Sequence, residues 1–181
     1  MSNNRKLFKL LAQICACGLV VGGVVSAHAS GGLLGQSGYL TAGHFKVESE
    51  DYSAVEINYT AEATDVLAIK YGAGFYDGAP VKYGRDDFVG VTLAGYYHFD
   101  QNIINPYIGL GVFAGRTYNC SSAEKEHYGC EEESMFSLYP ELGLAIKLDQ
   151  FFIYPYVRRS FSTNNGGEAA NVIGLAVGFG I

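Results

Sequence analysis

The residues of this chain whose types could do chemistry are few and stand apart. Glu56, Lys70, Glu141 and Lys147 each interrupt a run of apolar and small residues, and Arg158 and Arg159 sit side by side in another such run. A lone charge in such surroundings is costly unless a partner neutralises it. The expectation is therefore a network in which Glu56 and Glu141 share Lys70, Lys147 and one arginine. Arg158 is the candidate for that arginine, although alternation alone does not choose between it and Arg159. Such a network is either a polar path for protons or small ions or a salt-bridged plug. Nucleophilic catalysis asks for a serine activated by a histidine and oriented by a carboxylate. His44, His98 and His127 are the available histidines, and no serine stands obviously beside His44, so no catalytic residue is assigned. No ligand set with metal spacing appears, and no cofactor is implied.

Two further groups are chemical by type. Cys120 and Cys130 lie ten apart in a polar stretch, and in an exported chain such a pair reads as a disulfide. Around them stand Glu124, Glu126, Glu131, Glu132 and Glu133, an acidic tip that could meet divalent cations or a basic partner, or serve only as a solvated, repulsive loop.

Export is legible at the start. Arg5, Lys6 and Lys9 precede an apolar run from Leu10 to Val25, followed by Ala27-His28-Ala29. That is the pattern of a secretory signal peptide over residues 1–29, cut before Ser30. Taking away the leader's three basic residues leaves 9 basic against 18 acidic ones in residues 30–181, a net charge of −9. A surface of that sign excludes nucleic acid as a natural partner.

The elements that must position these residues are strands. The last stretch sets the pattern: Ile173, Leu175, Val177, Phe179 and Ile181 alternate with Gly174, Ala176, Gly178 and Gly180. Period-two alternation gives a strand with two unlike faces, here one large and apolar and the other nearly free of side chains. Similar runs cover residues 55–61, 67–76, 89–99, 106–115, 136–148 and 151–161, and a less regular one covers 36–47, whose facing the pattern leaves open. Tight links at 62–65, 100–103 and 149–150 alternate with longer ones at 48–51, 77–87, 116–134 and 162–170. After the leader no apolar run approaches the ~18 residues of a spanning helix. Eight strands of roughly 10–12 residues, with short and long connections in turn, are what a transmembrane barrel requires. Tyr97, Phe99, Phe151, Phe152, Tyr118 and Phe161 fall at strand ends, where interfacial girdles form. A soluble barrel would put its apolar residues inside, but the other face here is too poor in charge to coat a water-facing surface.

"NPYIGLGVFAG" at Asn105 to Gly115, "GYYHF" at Gly95 to Phe99 and the closing "IGLAVGFGI", together with the leader, resemble the small outer-membrane β-barrel family. That group contains the OmpA transmembrane domain, OmpX and opacity-type surface proteins. The resemblance implies an all-β, eight-stranded antiparallel up-and-down barrel in the outer membrane of a Gram-negative cell. It also implies surroundings of outer-membrane lipid and lipopolysaccharide, the barrel-assembly machinery as a partner in biogenesis, and four loops facing outward. Members usually end in an aromatic residue, whereas the last residue here is Ile181, with Phe179 two before it. The interior of an eight-stranded barrel is just wide enough to be filled by side chains, which favours the plug. The expected role is structural and interactive, in envelope integrity or in adhesion to a host or cell-surface ligand through the loops. The alternatives are a narrow ion or small-solute channel and a lipid A-modifying acyl hydrolase. The run "RRSFSTNNGG" at Arg158 to Gly167 is superficially similar to the motif of such hydrolases but lacks its histidine.

Overall fold

A computed structural model describes residues 38–48, 52–81, 84–99, 103–120, 133–163 and 169–180. The expected leader at residues 1–29, most of the acidic tip and Cys130 lie outside the described residues.

The described residues form eight strands: β1 (Gly38–Val47), β2 (Tyr52–Glu62), β3 (Leu67–Val81), β4 (Gly84–His98), β5 (Ile104–Cys120), β6 (Ser134–Leu148), β7 (Phe151–Ser162) and β8 (Ala169–Gly180). Each pairs antiparallel with its neighbour in sequence, and β8 pairs with β1, so the sheet closes and no edge is left to satisfy. Closure is what allows a sheet with an apolar outer surface to sit in hydrocarbon, where an unpaired backbone group costs several kcal/mol.

Alternation sorts the side chains. Leu40, Val91, Leu93, Leu110, Leu142 and Leu175 point outward and are exposed, while Tyr39, Glu56, Tyr96, Phe113 and Tyr139 point inward and are buried. In water this arrangement would be inverted, since large apolar side chains stabilise by leaving water. On β4 the outward apolar belt runs from Val89 to Phe99, and Asp87 and Arg85 continue the same face beyond it. Ten residue steps at ~3.4 Å, on a strand tilted by ~40°, span ~26 Å, which matches the ~25 Å apolar band of outer-membrane barrels. The first strand, whose facing the pattern left open, turns Tyr39, Thr41, Phe45 and Val47 inward and Leu40, His44 and Lys46 outward.

The links explain themselves locally. At 62–67 the amides of Ala63 and Thr64 donate to the Leu67 carbonyl at 2.8 and 3.1 Å, and the Thr64 hydroxyl accepts from the Val66 and Leu67 amides. Between β6 and β7 the two-residue turn puts Asp149 at φ 59, a left-handed conformation that Asp tolerates well.

Three expectations need correction. Residues 77–87, read as a loop for their Gly, Pro and charge, largely continue the β3–β4 hairpin: Ala79 faces Asp86 and Pro80 faces Arg85, after an irregularity between Tyr76 and Ala79. Polar composition there reflects emergence from the lipid, and the pairing simply continues. Likewise β5 runs on to Cys120. Phe152, assigned to a girdle, points inward instead, with its ring stacked on Tyr39 at 4.7 Å. Its neighbour Phe151 takes the outward place.

Candidate functional site

The lumen is layered. At the loop end, Phe45, Val47, Tyr76, Phe88, Phe113 and Met135 form an apolar layer, with Tyr76 packed on Phe113 at 4.3 Å and edge-on to Phe45 at 5.4 Å. Phe88 and Phe113 are fully buried. The short-link end is lined by Tyr39, Phe152 and Tyr154, whose rings lie nearly parallel. Between the two lies the charged cluster.

Arg158 is its centre. Glu141 is its register neighbour on β6, and Arg158 Nε donates to Glu141 Oε2. The other end of the guanidinium crosses the lumen: Nη1 and Nη2 donate to Glu56 Oε1 and Oε2 at 2.8 and 2.9 Å. This is the bidentate fork that a planar guanidinium makes and an ammonium cannot. Its faces are covered by aromatic rings, with Cζ 4.3 Å from the Tyr139 centroid, 4.5 Å from Tyr156 and 5.0 Å from Phe45. Lys70 approaches Glu56 Oε2 at 3.7 Å and lies 5.0 Å over the Tyr96 ring. Two carboxylates and two cations thus sum to zero in a site where all four side chains are buried.

The carboxylate oxygens have further partners. Tyr107 Oη donates to Glu141 Oε1 at 2.8 Å, and Asn58 Nδ2 donates to Glu56 Oε2 at 3.3 Å. Asn58 is held in turn by the Thr92 hydroxyl on its Oδ1 at 2.5 Å, while the Thr41 hydroxyl donates to its backbone carbonyl. A buried charge network fixes one arrangement only if its members are satisfied, and this one connects seven strands, β1 to β7.

Lys147 does not join it. It sits at the short-link end and pairs with Glu62 at 3.8 Å, both side chains about one third exposed. The physical reason is reach: Lys147 belongs to the last inward layer of β6, three alternations below Glu141, where water solvates the ammonium. Arg159 points outward at the loop end and donates to Asn171 Oδ1 at 3.0 Å. His44 faces outward between Val55 and Leu175 in register, and His98 lines the short-link end beside Tyr107. Glu133 is described and bonds the β5 end through its backbone with Thr117. Cys120 is described only as backbone, and Cys130, Glu124, Glu126, Glu131 and Glu132 lie outside the described residues.

Sequence reasoning missed Asn58 and Thr92, although Asn58 carries a signal, lying two residues from Glu56 on the same face. It also missed what the glycines do. A Cβ on Gly111 would come within 2.4 Å of the Tyr139 ring, and one on Gly174 within 2.2 Å of Tyr156. These are the rings that sandwich Arg158, so the two glycines seat the walls of the site. Gly174→Val should overpack it and cost about 1–3 kcal/mol, read as a lower urea midpoint of the folded, heat-modifiable band. An unchanged midpoint would show that Tyr156 moves freely.

No family model matches the chain, and no curated protein matches it. Solved structures do. The N-terminal β-barrel domain of Pseudomonas aeruginosa OprF is similar with a TM-score of 0.61 at 17% identity, over 81% of this chain and 98% of that one. Neisserial surface protein A is similar with a TM-score of 0.58 at 14% identity, over 80% and 96%. Both are eight-stranded outer-membrane β-barrels, and identities this low speak to the fold.

Proposed function

Because this chain has the fold of the eight-stranded outer-membrane β-barrels, we propose that it is a structural and surface-interaction protein of the Gram-negative envelope. Its barrel is a filled anchor, and its activity lies in the four outward loops, in envelope integrity or adhesion to a host or cell-surface ligand. The observation that carries this reading is the closed lumen. The Arg158–Glu56–Glu141 cluster bridges it, and the layer of Phe88, Phe113 and Met135 lies across it nearer the loops. A body filled in this way leaves interaction to its two ends and its lipid-facing surface. Outer-membrane lipid and lipopolysaccharide surround it in this reading, and the barrel-assembly machinery inserts it after the signal peptide (residues 1–29) is removed. Arg159 and Lys46 are exposed on the outward face near the loop end, where a lipid phosphate could meet them.

The test is a deletion strain complemented by the wild-type chain or by a chain with residues 121–132 shortened. Loss of detergent resistance or of surface adhesion, restored by the wild type, supports the reading. Steady large conductance of the purified protein in planar bilayers would replace it with the channel. A change of lipid A mass on expression would replace it with the acyl hydrolase.

Cys120 and Cys130 are proposed to be joined before the loop reaches the surface. Closing a loop of this length restrains the unfolded tip by ~3 kcal/mol, while the barrel, closed by its own ladder, stands without it. Native, non-reduced protein should therefore give no free thiol on titration, and Cys120→Ser should still show the folded band. Free thiols would refute the pairing.

A further inference from the structure

The lumen is filled unevenly, and the unevenness has a direction. Below Arg158, toward the short-link end, lies a cavity of about 30 Å³ whose lining includes Thr41, Asn58, Thr60, Lys70, Tyr96 and His98. A polar cavity needs ~10–15 Å³ of such volume to hold a water, so this one has room for at least one. Its walls call for water. The Tyr96 hydroxyl has no protein partner although Tyr96 is only 7% exposed, and His98 Nδ1 has none either. Lys70, with three N–H donors, has one carboxylate partner at 3.7 Å. At the same end four inward side chains, His98, Phe152, Lys147 and Glu62, are half-buried, although Tyr39 and Tyr154 beside them stay buried. Toward the loop end, by contrast, Val47, Phe88 and Phe113 are all 0% exposed. Apart from the Tyr76 hydroxyl, the six side chains of that layer offer water no polar partner.

We propose that the lumen is a one-ended aqueous pocket. It admits water and solutes of about its size from the periplasmic end as far as Lys70 and Arg158, and it passes none to the cell surface because the apolar layer, rather than the salt bridges, is the seal. This rests on the filled-lumen reading and sharpens it: the charged cluster is the floor of a pocket and the aromatic layer is the barrier.

Accessibility to the silver ion, a small thiol-reactive cation, tests this on the full-length protein in proteoliposomes whose orientation is read by protease cleavage of the loops. In a Cys120→Ser, Cys130→Ser background, a single cysteine replaces Thr60 in the pocket wall or Ala54 near the barrier. After exposure to silver the protein is denatured, and the remaining thiol is counted with a maleimide. Thr60→Cys should be protected at least tenfold faster than Ala54→Cys, and only with silver on the periplasmic side. Thr41→Cys replaces Thr60→Cys if the latter lacks the folded band. A contrast below tenfold, or protection of the pocket cysteine from the loop side, would overturn the proposal. The deletion phenotypes do not depend on this contrast, so the two readings fail separately.

Discussion

Arg158→Ala should destabilise the barrel more than any other single substitution in its lumen, by about 3–5 kcal/mol. The guanidinium donates to both Glu56 oxygens and to Glu141 and is stacked among three rings. Without it two buried carboxylates face each other across the lumen with Lys70 alone to offset them, and stranded charge is what makes breaking a buried pair so costly. Arg158→Lys should recover only part of the loss, since an ammonium cannot span both carboxylates with a planar fork. The informative variant is the double substitution Glu56→Gln, Arg158→Met. It keeps Glu141 and Lys70, restores neutrality and should be markedly more stable than Arg158→Ala. Urea midpoints of the folded band give all of these values. If Arg158→Ala falls within about 1 kcal/mol of the wild type, water already solvates the cluster and the plug is not a stabilising element.

How much of this was legible depends on which physical rule each residue obeys. Facing follows from period two, so the exposure of Leu93 and Leu175 and the burial of Tyr96 and Tyr139 could be read from the chain. Closure follows from strand number and link length. Partnership does not follow from either, because it depends on register and on height in the barrel. Lys147 obeys the inward alternation and still misses the cluster, since its layer lies near the end where water competes for it. Arg158 and Arg159 could have been told apart by phase: Tyr154 and Tyr156 carry the inward phase of β7, while Phe151 and Val157 carry the outward one. Phe152 shows the limit of composition, because an aromatic residue at a strand end suits a girdle or a lumen mouth equally well. The extended β3–β4 hairpin shows the same limit for loops, where Gly, Pro and charge mark departure from lipid without marking the end of pairing.

The lipid-facing assignment carries the other large effect, and it predicts a depth profile along one strand. Leu93 lies at the middle of the outward belt on β4, with Tyr71 and Val112 as its register neighbours, and is 53% exposed. An arginine there must leave its charge in hydrocarbon or thin the bilayer around it, at about 2–4 kcal/mol near the midplane. Phe99, at the short-link end of the same face, is equally open at 58%, but a charge there reaches water and headgroups at a cost of about 0–1 kcal/mol. Leu93→Arg should therefore impair insertion into lipid vesicles and lower the unfolding free energy. Phe99→Arg should do so weakly, and Asp87→Arg, beyond the belt on the loop side, should insert with almost no loss, forfeiting the bond that the Asp87 carboxylate accepts from the Gly78 amide at 3.0 Å. Folding efficiency into vesicles, read by heat modifiability, orders the three variants. A soluble barrel or a misassigned face would give a different order: Leu93→Arg would be harmless on a water-facing surface and no worse than Asp87→Arg. Equal insertion of the three variants would remove the membrane as the solvent of this face, and the filled-anchor reading would go with it.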